Sequence, residues 1–272
     1  RTPDWGIIGA SLRRPDTREA LEPQDFLYTL AVRDASGTKP RIIGSILDVL
    51  DANTQRAELI ETMASPAIRI VSLTVTEKGY CHDPSTGELD QKHPDIVHDL
   101  AHPEAPISAP GIIVAALELR RQRGLAPFTV MSCDNLPSNG RTAGRIVRRL
   151  AELMDGGAGL AGYVQTVSFP STMIDRIVPA TTDADRAIVA DITGLEDAWP
   201  IMTEPFTQWV IEDDFPAGRP PFETVGAELV EDVEPFELMK LRMLNGSHST
   251  LAYLGYLAGH QYVSDAIGDP AI

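Results

Sequence analysis

The order of apolar segments between residues 53 and 155 constrains this chain more than any other feature. Residues 53–64 have helical spacing, with Leu59, Ile60 and Met63 on one face and Pro66 beyond the end. A β-branched run, IRIVSLTV, follows at 68–75. A second helical pattern at 112–123 closes at Gly124, and PFTVM at 127–131 reads as a buried strand. A third helical pattern, 142–154, stops at Gly156-Gly157. Helix and strand alternate, and strands apolar on both faces belong to parallel sheets covered by helices. The expected fold class is therefore α/β, a Rossmann-like parallel sheet.

Three further strands are expected upstream: 5–12 (WGIIGASL), buried and apolar on both faces; 26–32, alternating; and 41–50 (RIIGSILDVL). Residues 81–109 are polar and rich in Pro, which predicts a long loop holding a short helix. From 164 to 219 the periodicity weakens, with 206–211 (FTQWVI) the one strand candidate. Beyond Pro220, Pro221 and Pro235 a helical pattern runs over 236–259. The boundary falls within 220–234, dividing the chain into an α/β domain, 1–226, and the start of a mainly helical domain, 227–272.

Composition excludes several function classes. Lys and Arg number 23 against 39 Asp and Glu, so the formal charge is −16, which repels nucleic-acid backbones and anionic membranes. No apolar run reaches the ~20 residues of a membrane span. Two cysteines, Cys81 and Cys133, argue against a disulfide scaffold and point to a reducing, cytoplasmic setting. The chain opens on Arg1-Thr2-Pro3 with no initiator Met, and is expected to be a fragment.

Ligands of open parallel sheets sit outside the carboxyl ends of the strands. Two polar clusters fall there: Thr76-Glu77-Lys78-Gly79 and Ser132-Cys133-Asp134-Asn135. Asn135 offers an amide donor, and Asn139-Gly140 suits a turn into the next helix; loop chemistry alone also explains this pattern. Asp175 and Arg176 follow an apolar stretch and suit either a structural ion pair or a contact to a sugar hydroxyl. On the last helical pattern Glu237 lies about 60° from Lys240, His248 about 80° and Asn245 about 140°. A Lys, an Asn and a His on a partly apolar face are costly unless they are used or paired. Glu237, one turn before Lys240, is expected to relay its proton to water. Cys81, His82, His93 and His98 match no common zinc spacing, so no metal site is expected. No Gly-rich phosphate loop is present.

In this order the clusters resemble the polyol-specific long-chain dehydrogenases, the mannitol 2-dehydrogenase and fructuronate reductase family. The resemblance rests on SLTVTEKGYC (72–81), SCDNLPSNG (132–140), FPSTMIDRIVPATT (169–182), EPFTQWVIEDDF (204–215) and ELMKLRMLNGSHSTLAYLG (237–255). Most specific is the Lys-x-x-x-x-Asn-x-x-His spacing of Lys240, Asn245 and His248. The resemblance implies a Rossmann domain followed by a helical substrate domain, with a first strand and its Gly-rich turn missing here, and further substrate-binding residues beyond Ile272.

It further implies an NAD-dependent enzyme that interconverts a secondary alcohol of an acyclic polyol with the ketose, without metal. Lys240 would be the general acid/base. Asn245 and Asn135 would donate to the developing alkoxide, and His248 would orient the substrate oxygen. Asp175, with Arg176 beside it, would hold a neighbouring hydroxyl. Cofactor contacts would come from Asp16, on the adenosine ribose, and from Thr76 and Glu77; Arg13 and Arg14 leave NADP open. The partner is a small polyol, ketose or hexuronate, and the protein a monomer or small homo-oligomer. Fructuronate reductase is the alternative inside the family. Outside it stand a non-catalytic sugar-binding domain and a metal-dependent isomerase using the 81–98 cluster.

Overall fold

The computed structural model describes residues 5–157 and 159–272. The opening Arg1-Thr2-Pro3 lies outside them.

The alternation expected from the sequence is present. β1 (Ile7–Ser11) leads through α1 (Asp16–Leu21) into a hairpin of β2 (Tyr28–Asp34) and β3 (Gly37–Ile43), then to β4 (Ile46–Asp51). The hydrophobic run at 41–50 is thus two strands, not one. It breaks at Gly44-Ser45 because its halves pair with different partners: β3 runs antiparallel to β2, and β4 runs parallel to β1. Pro40 is accommodated because β3 is an edge strand. β1 is also less buried than expected, with Ile7 54% and Ile8 40% exposed. Among the described residues its single strand neighbour is β4, so its apolar side chains are only partly covered.

Next come α2 (Arg56–Ala64), β5 (Ile70–Leu73), α3 (Pro94–Ala101), α4 (Ala109–Gln122), β6 (Thr129–Ser132) and α5 (Asn139–Met154). β5 and β6 pair in parallel from Ile70↔Thr129 to Leu73↔Ser132. The main core lies here, with Leu117, Phe128, Val130, Ile146 and Leu150 almost fully enclosed. Each such side chain contributes roughly 1.5–3 kcal/mol. Arg120 is the exception inside this layer, only 4% exposed. It donates to the carbonyls of Ala126 at 2.8 Å, Ser65 at 2.7 Å, Ile68 at 3.1 Å and Met63 at 3.3 Å. It thereby ties the end of α2 to the approach to β5.

The weakly periodic stretch folds as α6 (Leu160–Val164), β7 (Thr172–Asp175), α7 (Asp183–Thr193), β8 (Ile201–Thr203), β9 (Gln208–Glu212) and β10 (Glu228–Val230). β7 and β10 flank β9, while β8 joins β2 in parallel. α8 (Glu234–Met239) then runs into a π-helical turn, Lys240–Asn245, and on into α9 (Gly246–Ala258) and α10 (Val263–Ile267). No helix of the described residues is long and apolar enough to cross a membrane.

Candidate active site

The carboxyl ends of β5 and β6 are fastened together by one side chain. The Asp134 carboxylate accepts from the Val75 N–H at 3.0 Å, the Thr76 N–H at 2.9 Å and the Tyr80 hydroxyl at 2.8 Å. Tyr80 also contacts the Ser132 Oγ, and burial pushes its phenol well above the ordinary tyrosine range. Thr76 is held at φ 64°, ψ 167°, a region other residues leave almost entirely to glycine. That conformation costs about 1–3 kcal/mol and persists only where the surroundings enforce it. The sequence reading placed Asp134 in a strand-end cluster but gave neither it nor Tyr80 a role. Their one signal was a carboxylate at one strand end and a Tyr just past the other.

Asn139 was expected to make a turn and instead begins α5, 2% exposed. Its amide donates to the carbonyls of Asp134 at 2.9 Å and Thr172 at 2.8 Å, and its oxygen accepts from the Thr172 N–H at 2.9 Å. It welds the end of β6 to the start of β7. Gly140 lies so close to the Phe169 and Pro170 carbonyls that no Cβ fits.

Beyond these welded ends lies a cleft of about 290 Å³, walled by Asn135, Pro137, Asp175, Arg176, Glu237 and Lys240 among others. Three of the predicted residues reach it from different elements. Asn135 is exposed just past β6, Asp175 is the last residue of β7, and Lys240 opens the π turn. Lys240 is half-buried and donates from Nζ to the Ile174 carbonyl at 2.6 Å. Arg176 donates to the Glu204 carbonyl at 3.1 Å, while its Nε is buried without a partner. No ion pair joins Asp175 to Arg176 among the described residues. Glu237 accepts the Ser138 N–H through both oxygens, at 3.1 and 3.3 Å.

Asn245 and His248 do not line this cleft; Asn245 is half-buried and His248 exposed. The π turn nevertheless alters their angular relation to Lys240. Residues five apart stand about 140° apart on an α-helix, but the i→i+5 bonding of a π turn stacks them. Lys240 and Asn245 therefore share one stripe more closely than the sequence spacing suggests.

Of the expected cofactor contacts, Thr76 and Glu77 are exposed beside the fastened strand ends. Asp16 opens α1 after β1, with Arg14 3.6 Å from its carboxylate. Cys81, His93 and Asp95 bring ligand atoms within 4.8 Å of one another. The His93 Nδ1 is already engaged, capping α3 by accepting the Asp95 N–H at 3.2 Å. Burial, reinforced by Asp95 and Asp99, pushes the Cys81 thiol up to about 12. His98 faces Asp99 at 3.2 Å instead.

A family model described as the mannitol dehydrogenase Rossmann domain matches residues 1–224. The chain belongs to the mannitol dehydrogenase family. The model of the family's C-terminal domain matches residues 232–272. Family relatives include a D-mannonate oxidoreductase of Escherichia coli, 50% identical over 98% of this chain and 56% of the relative. A mannitol 2-dehydrogenase of Cereibacter sphaeroides is also 50% identical, over 99% of this chain and 56% of its own length. The chain thus spans about half the length of the curated relatives it matches. Among solved structures, Pseudomonas fluorescens mannitol 2-dehydrogenase in ternary complex with NAD and D-mannitol superposes with a TM-score of 0.90. It is 48% identical, covering 98% of this chain and 55% of that one. The family membership carries the α/β, Rossmann-like fold.

Proposed function

We propose that the protein carrying this chain is an NAD-dependent oxidoreductase that interconverts a secondary alcohol of an acyclic polyol and the corresponding ketose. The observation that supports it most is the meeting of Lys240, Asn135 and Asp175 on the walls of one cleft beyond the strand ends. Exposed polar residues at other strand ends suit a dinucleotide: Thr76 and Glu77 beside β5, and Asp16, after β1, at the adenosine ribose. Asp16 accepts from ribose hydroxyls and repels a 2′-phosphate, which favours NAD over NADP. The nicotinamide, when bound, supplies the acceptor for the hydride of the carbinol carbon.

The chain's own residues handle the oxygen and its proton. Lys240 Nζ, a donor to the Ile174 carbonyl in this structure, takes the hydroxyl proton as the alcohol is oxidised and returns it during ketone reduction. The Asn135 amide donates to the oxygen as negative charge builds on it. Asp175, with Arg176 adjacent, accepts from the neighbouring hydroxyl of the substrate. Asn245 and His248 add a second donor and an orienting ring once substrate and the rest of the helical domain are in place. We place the domain boundary between residues 226 and 227, and the enzyme in the cytoplasm as a monomer or small homo-oligomer.

The D-mannonate oxidoreductase relative matches as closely as the bacterial mannitol enzyme. Fructuronate reduction is therefore the second reading. The deciding assay is NADH oxidation by the protein expressed from its complete reading frame, with fructose, fructuronate and xylulose offered in parallel. Turnover of fructose or xylulose above fructuronate supports the polyol reading, and the opposite order selects the uronate. No turnover of any ketose or uronate removes both.

A further inference from the structure

One half-buried carboxylate, Asp134, stands between a residue assigned to the cofactor and a residue assigned to the substrate. The last backbone bond between the ends of β6 and β5, among the described residues, runs from the Cys133 N–H to the Leu73 carbonyl at 2.9 Å. Beyond it the Asp134 side chain carries the connection. Oδ2 accepts from the Val75 N–H at 3.0 Å and the Tyr80 hydroxyl at 2.8 Å, and Oδ1 accepts from the Thr76 N–H at 2.9 Å. With its N–H drawn to Asp134, Thr76 is held at φ 64° while the residue itself stays exposed. A threonine keeps that conformation only where its surroundings enforce it. Asp134 supplies the enforcement.

On its other side Asp134 leads directly to Asn135. The peptide joining them is fixed through the Asp134 carbonyl, which accepts from the Leu136 N–H and from the Asn139 amide, each at 2.9 Å. Asp134 is thus clamped twice, by its side chain to residues 75–80 and by its carbonyl to the start of α5. Asn135 follows it onto the wall of the cleft that also holds Asp175 and Lys240. A reaction between two bound molecules depends on their separation, and a misplacement of about 1 Å costs about 10²-fold in rate. We propose that Asp134 is a positioning residue: it sets Thr76, on the cofactor side, against Asn135, on the substrate side, and so fixes the spacing of the two reactants. The proposal rests on the dehydrogenase reading above, because Thr76 and Asn135 have those roles only there.

Asp134→Asn, made in the protein from the complete reading frame, is the test. The amide keeps an oxygen for one of the two N–H groups and sets an NH₂ against the other, so the clamp on 75–76 is broken on one side. The expected result is a KM for NADH about ten-fold higher and a kcat lower by roughly 10²-fold. KM does not depend on how much of the protein is folded, so a merely structural loss lowers kcat per mole and leaves KM where it was. Tyr80→Phe removes the third donor but leaves both N–H bonds, and its KM for NADH is expected within ~2-fold of wild type. An unmoved KM for NADH in Asp134→Asn overturns the proposal, and so does an equal shift in Tyr80→Phe. A kcat within ~3-fold of wild type in Asp134→Asn overturns it too. If wild type oxidises no NADH with any ketose or uronate, the dehydrogenase reading has failed and the positioning role falls with it. Wild-type turnover with an unmoved KM in the variant sinks the positioning role alone.

Discussion

Replacing Asp134 with Ala tests whether one carboxylate holds the two strand ends together. The change deprives the Val75 and Thr76 N–H groups of their acceptor, while the Tyr80 hydroxyl keeps Ser132. A hydrogen bond to a charged group contributes roughly 1.5–3 kcal/mol. Asp134 is half-buried, so water reaches part of the vacated site and the lower figure applies, about 3 kcal/mol for the two bonds together. Against this, Thr76 is freed to leave its strained conformation, which returns about 1 kcal/mol. The net loss is about 2 kcal/mol, a fall in Tm of roughly 4–8 °C for a domain of this size. Thermal unfolding followed by circular dichroism measures it. Tyr80→Phe serves as the control, since it removes a single donor to the carboxylate and costs about 1.5 kcal/mol. A Tm within ~1 °C of the parent for Asp134→Ala, or a larger fall in Tyr80→Phe, would refute the reasoning.

Lys240→Ala should lower kcat by about 10²–10⁴-fold while leaving cofactor affinity nearly unchanged, checked by steady-state kinetics and by NADH titration. Near-wild-type kcat would make the Lys structural. Arg120→Ala should destabilise the fold by about 3 kcal/mol, because it strips the carbonyls of Ile68 and Ala126 of their side-chain donor. Denaturant unfolding with an unchanged m-value reads it. Burial pushes the thiols of Cys81 and Cys133 up to about 12, from an ordinary value near 9.0. Both should therefore resist a thiol reagent at pH 8 in the native protein and react at once in guanidinium. The unfolded thiols lose their protons first, so this stabilisation is complete below about pH 9 and drains away as pH rises from 9 towards 12. A Tm that stays flat across that window contradicts the sign.

What the sequence made legible was the part of the fold that repeats a simple physical pattern. The β5 run is rich in β-branched residues and β6 is buried on both faces, and α4 and α5 carry their apolar residues at helical spacing. Short strands carry no such statistics: β7, β8 and β10 span three or four residues each and are set by their partners. The break at Gly44-Ser45 was hidden for the same reason, since both halves of the run are apolar. At the site, residue types identified Lys240, Asn135 and Asp175 as candidates for one place. The carboxylate contacts were invisible, because Asp134 to Thr76 spans 58 positions and Glu237 to Ser138 spans 99.

The π turn at Lys240–Asn245 stores one spare residue in that segment. A π turn holds one residue more than an α turn over the same rise. Deleting a single residue between Lys240 and Asn245 would therefore shorten the helix hardly at all. It would let the segment relax to ordinary α geometry with Asn245 four positions and His248 seven positions from Lys240, both still on its side of the helix. The same deletion in the regular α9 that follows, where no extra residue is stored, would turn everything beyond it by about 100°. The π turn thus lets one residue be lost between Lys240 and Asn245 while Lys240 keeps its companions.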